Sequence, residues 1–114
     1  MTSRRPSALL LAWSLAACVT PGAAAHPTAQ NPEVLPIGRA PRIAAADLVR
    51  CKQLGKVEGV GAGGWGATPE MQEYWARTDA VALAEKYGAT HVALVSQRDD
   101  MTRMTVEGLA YECP

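Results

Sequence analysis

Phenylalanine is absent from the 114 residues, and aromatics of any kind make up only 5% of them, so the core must come from aliphatics with Tyr74, Tyr87, Tyr111, Trp65 and Trp75. An excess of charge of either sign is lacking too: eleven basic residues face eleven acidic ones. Nucleic-acid binding needs a basic patch, so no nucleic-acid partner is expected. Histidine occurs only at His26 and His91, and Ser96 is the only serine after residue 18. A nucleophile needs a base within hydrogen-bond reach, but His91 falls on the opposite face of the same expected strand as Ser96. No catalytic residue, cofactor or metal site is therefore assigned. Asp99-Asp100 has cation-binding chemistry, but a turn explains both residues.

What is present concentrates at the start. Arg4 and Arg5 precede a short apolar run, Ala8 to Ala17. The run falls short of the roughly 20 apolar residues a helix needs to span a bilayer, and has the build of an export signal. It ends in Leu15-Ala16-Ala17-Cys18. That segment resembles the bacterial lipobox, in which the cysteine thiol is acylated and becomes the first mature residue. Residues 1-17 are then a lipoprotein signal peptide, and Cys18 is a membrane anchor. A competing cut lies after Ala23-Ala24-Ala25, an A-x-A pattern that would release a soluble chain starting at His26. The arginine pair also matches part of a twin-arginine export signal, without the usual apolar residues behind it. Loss of residues 1-17 leaves nine basic residues against eleven acidic ones.

Residues 18-42 hold Pro21, Pro27, Pro32, Pro36 and Pro41. Proline fixes φ and removes donors, so this stretch is expected to be neither helix nor sheet but a tether. In polyproline II form it would reach roughly 70 Å. The domain is expected over residues 43-114. Cys51 and Cys113 bracket it and remain whichever cut is used. An exported chain matures in an oxidising compartment, so the two are expected to pair. Closing a loop of this size is worth roughly 4 kcal/mol on the chain-entropy model. A redox or metal-binding role finds no C-x-x-C and no neighbouring histidine in support.

Within the domain, residues 43-48 read as a turn of helix or a lead into a strand. Residues 49-60 read as a first strand, bulged near Gly55. A glycine-rich loop is expected from Gly59 to Gly66. Thr68 as N-cap, Pro69 at N1 and Gly88 at C′ delimit a helix. Its inner face is Ala76, Ala80, Leu83, Ala84 and Tyr87, and Glu73 pairs with Arg77 one turn on. Residues 90-96 form a strand buried on both faces. Residues 97-100 then make a turn. The last strand runs from Thr102 to Cys113, and its alternation shifts phase at Gly108, which suggests a bulge. A right-handed β-α-β crossover followed by a hairpin, with Cys51 near Cys113, places the last strand between the other two. The expected fold is α+β: a β-α-β-β domain with a three-stranded mixed sheet, order 1-3-2, one helix on a face and one disulfide.

Gly59-Val60-Gly61-Ala62-Gly63-Gly64 matches G-x-G-x-x-G, the dinucleotide fingerprint, in outline. Trp65 to Thr68 separate it from the helix, and the chain is too short for a doubly wound sheet. A mobile loop whose glycines avoid strain is the simpler reading. Trp65, with Gly63 and Gly64, is the candidate partner-binding element. Its indole is either tucked over the end of the core or offered to a partner or bilayer surface.

Three stretches carry a resemblance: Cys51 with Leu54-Gly55-Lys56-Val57-Glu58-Gly59; Ala84 through Gly88-Ala89-Thr90-His91-Val92; and Gly108-Leu109-Ala110-Tyr111-Glu112-Cys113-Pro114. Together they resemble a family of small proteobacterial envelope lipoproteins built on a domain of unknown function. The family's usual asparagine after Gly-Ala is Thr90 here. More distantly, the layout is similar to the outer-membrane sensor lipoproteins of the Rcs phosphorelay. Those have four domain cysteines where this chain has two, so their partners and signalling are not carried over. In such families the residue after the lipidated cysteine sorts the protein; with Val19 in place of the aspartate linked to inner-membrane retention, the resemblance implies the outer membrane. The expectation is a non-enzymatic envelope lipoprotein that faces the periplasm, held by lipid on Cys18, and offers its module to an envelope protein or cell-wall partner. A secreted or periplasmic binding module is the alternative, and a small hydrolase is the least supported.

Overall fold

The computed structural model describes residues 26-64, 66-100 and 102-114. Cys18 and Trp65 lie outside the described residues. The elements are β1 (Glu33–Pro36), a 3-10 helix (Ala45–Arg50), β2 (Lys52–Ala62), α1 (Pro69–Lys86), β3 (His91–Asp100) and β4 (Arg103–Glu112). One sheet of four strands has the order β1-β3-β4-β2. The expected α+β class holds. The three expected strands are β2, β3 and β4, and the last does lie between the other two.

Two parts of the expected sheet need correction. It has four strands, not three, and every pair of neighbours is antiparallel, so it is not mixed. The added strand, β1, comes from the proline-rich stretch read as a tether. Val34 and Leu35 there pair with Ala93 and Val92 of β3. Proline is excluded from central strands but tolerated at an edge, where a missing donor faces solvent. Ile37 extends the contact, its N–H donating to the Thr90 carbonyl at 2.9 Å, and is buried.

α1 begins as its sequence indicates. The Thr68 hydroxyl accepts the Met71 N–H at 3.2 Å, and Gly88 follows the helix with φ of 82°. Glu73 lies 4.0 Å from Arg77. The inner face is built of small residues: Ala76, Ala80 and Ala84 are fully buried. They sit against β2 at Gly59 and Gly61. A Cβ on Gly59 would overlap the Ala76 carbonyl, and one on Gly61 the Gln72 carbonyl. Helix and strand backbones are thus in direct contact. This corrects the reading of these glycines as part of a mobile loop: they belong to β2, and they let α1 lie flat on it.

Val57, Val92, Leu94, Met104, Val106 and Ala110 fill the core beneath α1. Tyr74, Trp75 and Tyr87, expected inside, are exposed. With α1 this close to the sheet there is no room for rings between them. β2 carries its irregularity between Gln53 and Gly55, as expected. The second bulge lies in β3, between Leu94 and Ser96, not at Gly108 of β4. β4 keeps its alternation: Met104, Val106, Gly108 and Ala110 are all buried. Leu109 and Tyr111 lie on the other face, beside Pro32, Ala45 and Leu48. The N-terminal segment covers that half of the second face, which is why the pattern looked like a phase shift. The turn expected at residues 97-100 is also absent, because β3 runs through Asp100 and pairs it with Arg103.

Cys51 and Cys113 stand at disulfide distance, with Sγ atoms 2.13 Å apart and a sequence separation of 62. Lys52 pairs with Glu112 just inside them, so the pair fastens β2 to β4.

Candidate interaction surface

Of the residues singled out for binding, the described ones, Gly63 and Gly64, lie just ahead of α1. Gly64 is exposed, with open space where a side chain would be. Its carbonyl accepts the Ala67 N–H at 3.1 Å, closing a turn into the helix cap. Gly63 is half-buried, and a Cβ there would collide with the Ala67 methyl and approach the Trp75 ring to 3.3 Å. Gln72 ties this end to the β3–β4 hairpin, its Nε2 donating to the Thr102 carbonyl at 3.5 Å.

Next to these glycines α1 carries an apolar surface of its own. Met71 is 44% exposed, Tyr74 67% and Trp75 38%. These residues sit at i, i+3 and i+4, so they share one face of the helix. α1 is therefore inverted relative to an ordinary amphipathic helix, with its smallest apolar residues inward and its largest outward. A shallow groove of about 250 Å³ continues from Tyr74 along Thr78 and Val81 to Leu35 of β1. Glu70 and Glu73 edge the surface with negative charge. Sequence reasoning assigned Tyr74 and Trp75 to the core. The available signal was a second apolar stripe, 71-74-75, beside the alanine stripe 76-80-84.

Arg77 fixes the β1 side of this surface. Its Nη1 donates to Glu33 Oε1 at 2.7 Å, and its Nη2 makes a second bond to Oε2. Hydrogen bonding to the guanidinium, partly offset by burial, holds the Glu33 carboxyl below its ordinary value. On the opposite sheet face Glu107 accepts from Lys56 at 3.0 Å and from Ser96 at 3.2 Å. The lysine bond, then the serine bond, lowers its pKa as well. Arg98 lies 3.8 Å from Glu58 nearby.

His91 lies at the start of β3. It is 2% exposed, and both ring nitrogens are engaged. Nε2 lies 2.7 Å from the Pro41 carbonyl, to which it can only donate. Nδ1 then accepts from the Thr90 hydroxyl at 2.8 Å. Thr90 Oγ1 in turn accepts the Cys113 N–H at 2.9 Å. The chain of bonds joins the N-terminal segment to the C-terminal strand. Ser96 bonds Glu107 instead. Asp99 and Asp100 end β3, and among the described residues no three His, Cys, Asp or Glu side chains converge as a metal site. Among the described helices none is long and apolar enough to cross a membrane. Comparison of the chain with models of protein families, with curated proteins and with solved structures found no match.

Proposed function

We propose that this chain is a non-enzymatic cell-envelope lipoprotein that holds a small α+β module at the periplasmic face of the outer membrane. In this reading residues 1-17 are removed, lipid on Cys18 is the anchor, and the module binds an envelope protein or cell-wall partner. The binding surface is the end of the module where Gly63 and Gly64 meet the start of α1. Trp65 belongs to the same loop by sequence.

One observation carries the choice of surface: Met71, Tyr74 and Trp75 face solvent together while alanines face the core. Exposed aromatics grouped on one face mark interaction sites, since each contributes large contact area at low entropic cost. The lipobox-like Leu15-Ala16-Ala17-Cys18 supports the anchor. Cys51 with Cys113 supports an oxidising compartment, as the two thiols stand within bonding distance of each other.

Crosslinking in cells followed by mass spectrometry tests the reading. A specific partner is expected to be captured by the natural chain and lost with Tyr74→Ala/Trp75→Ala, two residues outside the buried core. Retention of every specific partner by that variant counts against this surface. The intact mass of the processed protein tests the anchor separately. Acyl chains on Cys18 are expected, and an unmodified chain starting at His26 would refute the anchor.

A further inference from the structure

The outer edge of β2 is the longest strand edge left without a partner among the described residues, since the sheet ends there. The Val60 N–H donates to Asp79 Oδ2 at 2.9 Å, so it points away from β4. The β2–β4 register is unbroken from Gly55 to Ala62. Backbone groups alternate in direction along an antiparallel strand, so the N–H and C=O of Glu58 and Lys56 also point outward. α1 runs along the same edge and offers it one residue per turn. Asp79 reaches Val60; Leu83 and Val57 line one groove of about 420 Å³; and the Tyr87 ring lies 3.5 Å from where a Cβ of Gly55 would be.

We propose that this edge pairs with the same edge of a second copy of the chain, about a two-fold axis through Val57 and Leu83. With Val57 opposite Val57, an antiparallel pairing sets Lys56 opposite Glu58 of the second copy and Glu58 opposite its Lys56. These are the positions whose backbone groups point outward. Registers centred on Lys56 or on Glu58 satisfy the same backbone alternation but set like charges face to face. Among these three registers, charge selects the one centred on Val57.

The helix repeats the symmetry independently. Leu83 lies four residues from both Asp79 and Tyr87, so the axis that sets Leu83 on Leu83 sets Tyr87 opposite Asp79 of the second copy. Asp79 Oδ2 holds the Val60 N–H, and in this arrangement the Tyr87 hydroxyl of one copy comes to the Asp79 side of the other. The pairing also brings a further cation to Glu58. Glu58 lies directly across from Glu107 of β4, and among the described residues its cation partner is Arg98, at 3.8 Å. Lys56 of the second copy supplies another. The Leu54 irregularity at one end and the Asp79 cap at the other limit the ladder to its central residues. A closed two-fold pair results, and open-ended strand stacking is blocked.

Sedimentation velocity of the full chain in mild detergent tests the proposal. The natural chain is expected to form a concentration-dependent dimer. Lys56→Glu and Glu58→Lys are each expected to sediment as monomers, and their mixture to recover the dimer, because it restores unlike charges at both positions. A natural chain monomeric at every concentration overturns the proposal. So does a dimer that survives both substitutions, or a mixture that stays monomeric. Hydrogen exchange of the natural chain needs no variant. The Lys56 and Glu58 amides are expected to gain protection on concentration while the Val60 amide does not change. Equal exchange of the first two in dilute and concentrated samples overturns the proposal even where a variant fails to fold.

Discussion

At Gly61 and Gly59 the backbones of β2 and α1 meet with no side chain between them. A methyl group at Gly61 would have to displace the Gln72 carbonyl, which is part of the helix's own hydrogen-bond ladder. The helix as a whole would lift, opening voids around Ala76 and Ala80. Gly61→Ala is expected to cost about 1–3 kcal/mol, the range for overpacking a close-packed site. Gly64→Ala meets open space and is expected to change stability by less than about 0.5 kcal/mol. Urea unfolding of both variants checks the contrast, and equal midpoints would contradict the packing account. The same glycines show the limit of a local reading. A run of Gly-x-Gly suits a loop, a phosphate cradle or a close backbone approach, and only the helix lying on it distinguishes the three.

Among the elements, β1 depends most on contacts distant in sequence. It has four residues, pairs with β3 alone, and is fixed to α1 by Glu33 and Arg77. The folded Glu33 carboxyl titrates below its ordinary value, so the pair's stabilisation is fully present above the unfolded carboxylate range. It is lost as pH falls through the folded value. Both side chains are partly solvated, which limits the contribution to about 0.5–1 kcal/mol. Glu33→Gln is therefore expected to lower the melting temperature slightly at neutral pH and to match the natural chain in strong acid. A difference that persists undiminished in acid would contradict this assignment. The other elements were legible for local reasons. Thr68-Pro69 and Gly88 delimit α1, the apolar run at 92-95 marks β3, and Gly55 lies at the β2 bulge. β1 was not legible, because prolines at both its ends argue against a strand until an edge is available. The bulge in β3 was misplaced to Gly108 because the cover over Leu109 and Tyr111 comes from residues about 60 to 80 positions earlier. The outward aromatics of α1 were misread for a similar reason: the glycines of β2 decide how close the helix comes, and hence which face can hold rings.

Over the whole molecule, cohesion is shared between a thin core and the link from Cys51 to Cys113. Alanines contribute much of the helix face of that core, so burial there yields less than a core of larger side chains would. A cross-link spanning 62 residues restricts the unfolded chain by roughly 4 kcal/mol, comparable to the total stability of a domain this small. Reduction, or Cys51→Ser with Cys113→Ser, is expected to lower the melting temperature by roughly 20 °C. The loss should not be uniform. The Cys113 N–H bonds Thr90, Thr90 bonds His91, and His91 holds the Pro41 carbonyl, so the cross-link also steadies the cover over the second sheet face. Where α1 lies on Gly59 and Gly61, packing does not run through that chain of bonds. Hydrogen exchange in the reduced protein is therefore expected to accelerate first at the Ile37 amide, which donates to the Thr90 carbonyl, and last in the middle of β4. Uniform acceleration would mean that the link acts on the unfolded chain alone. An unchanged melting temperature would mean that the core needs no link at all.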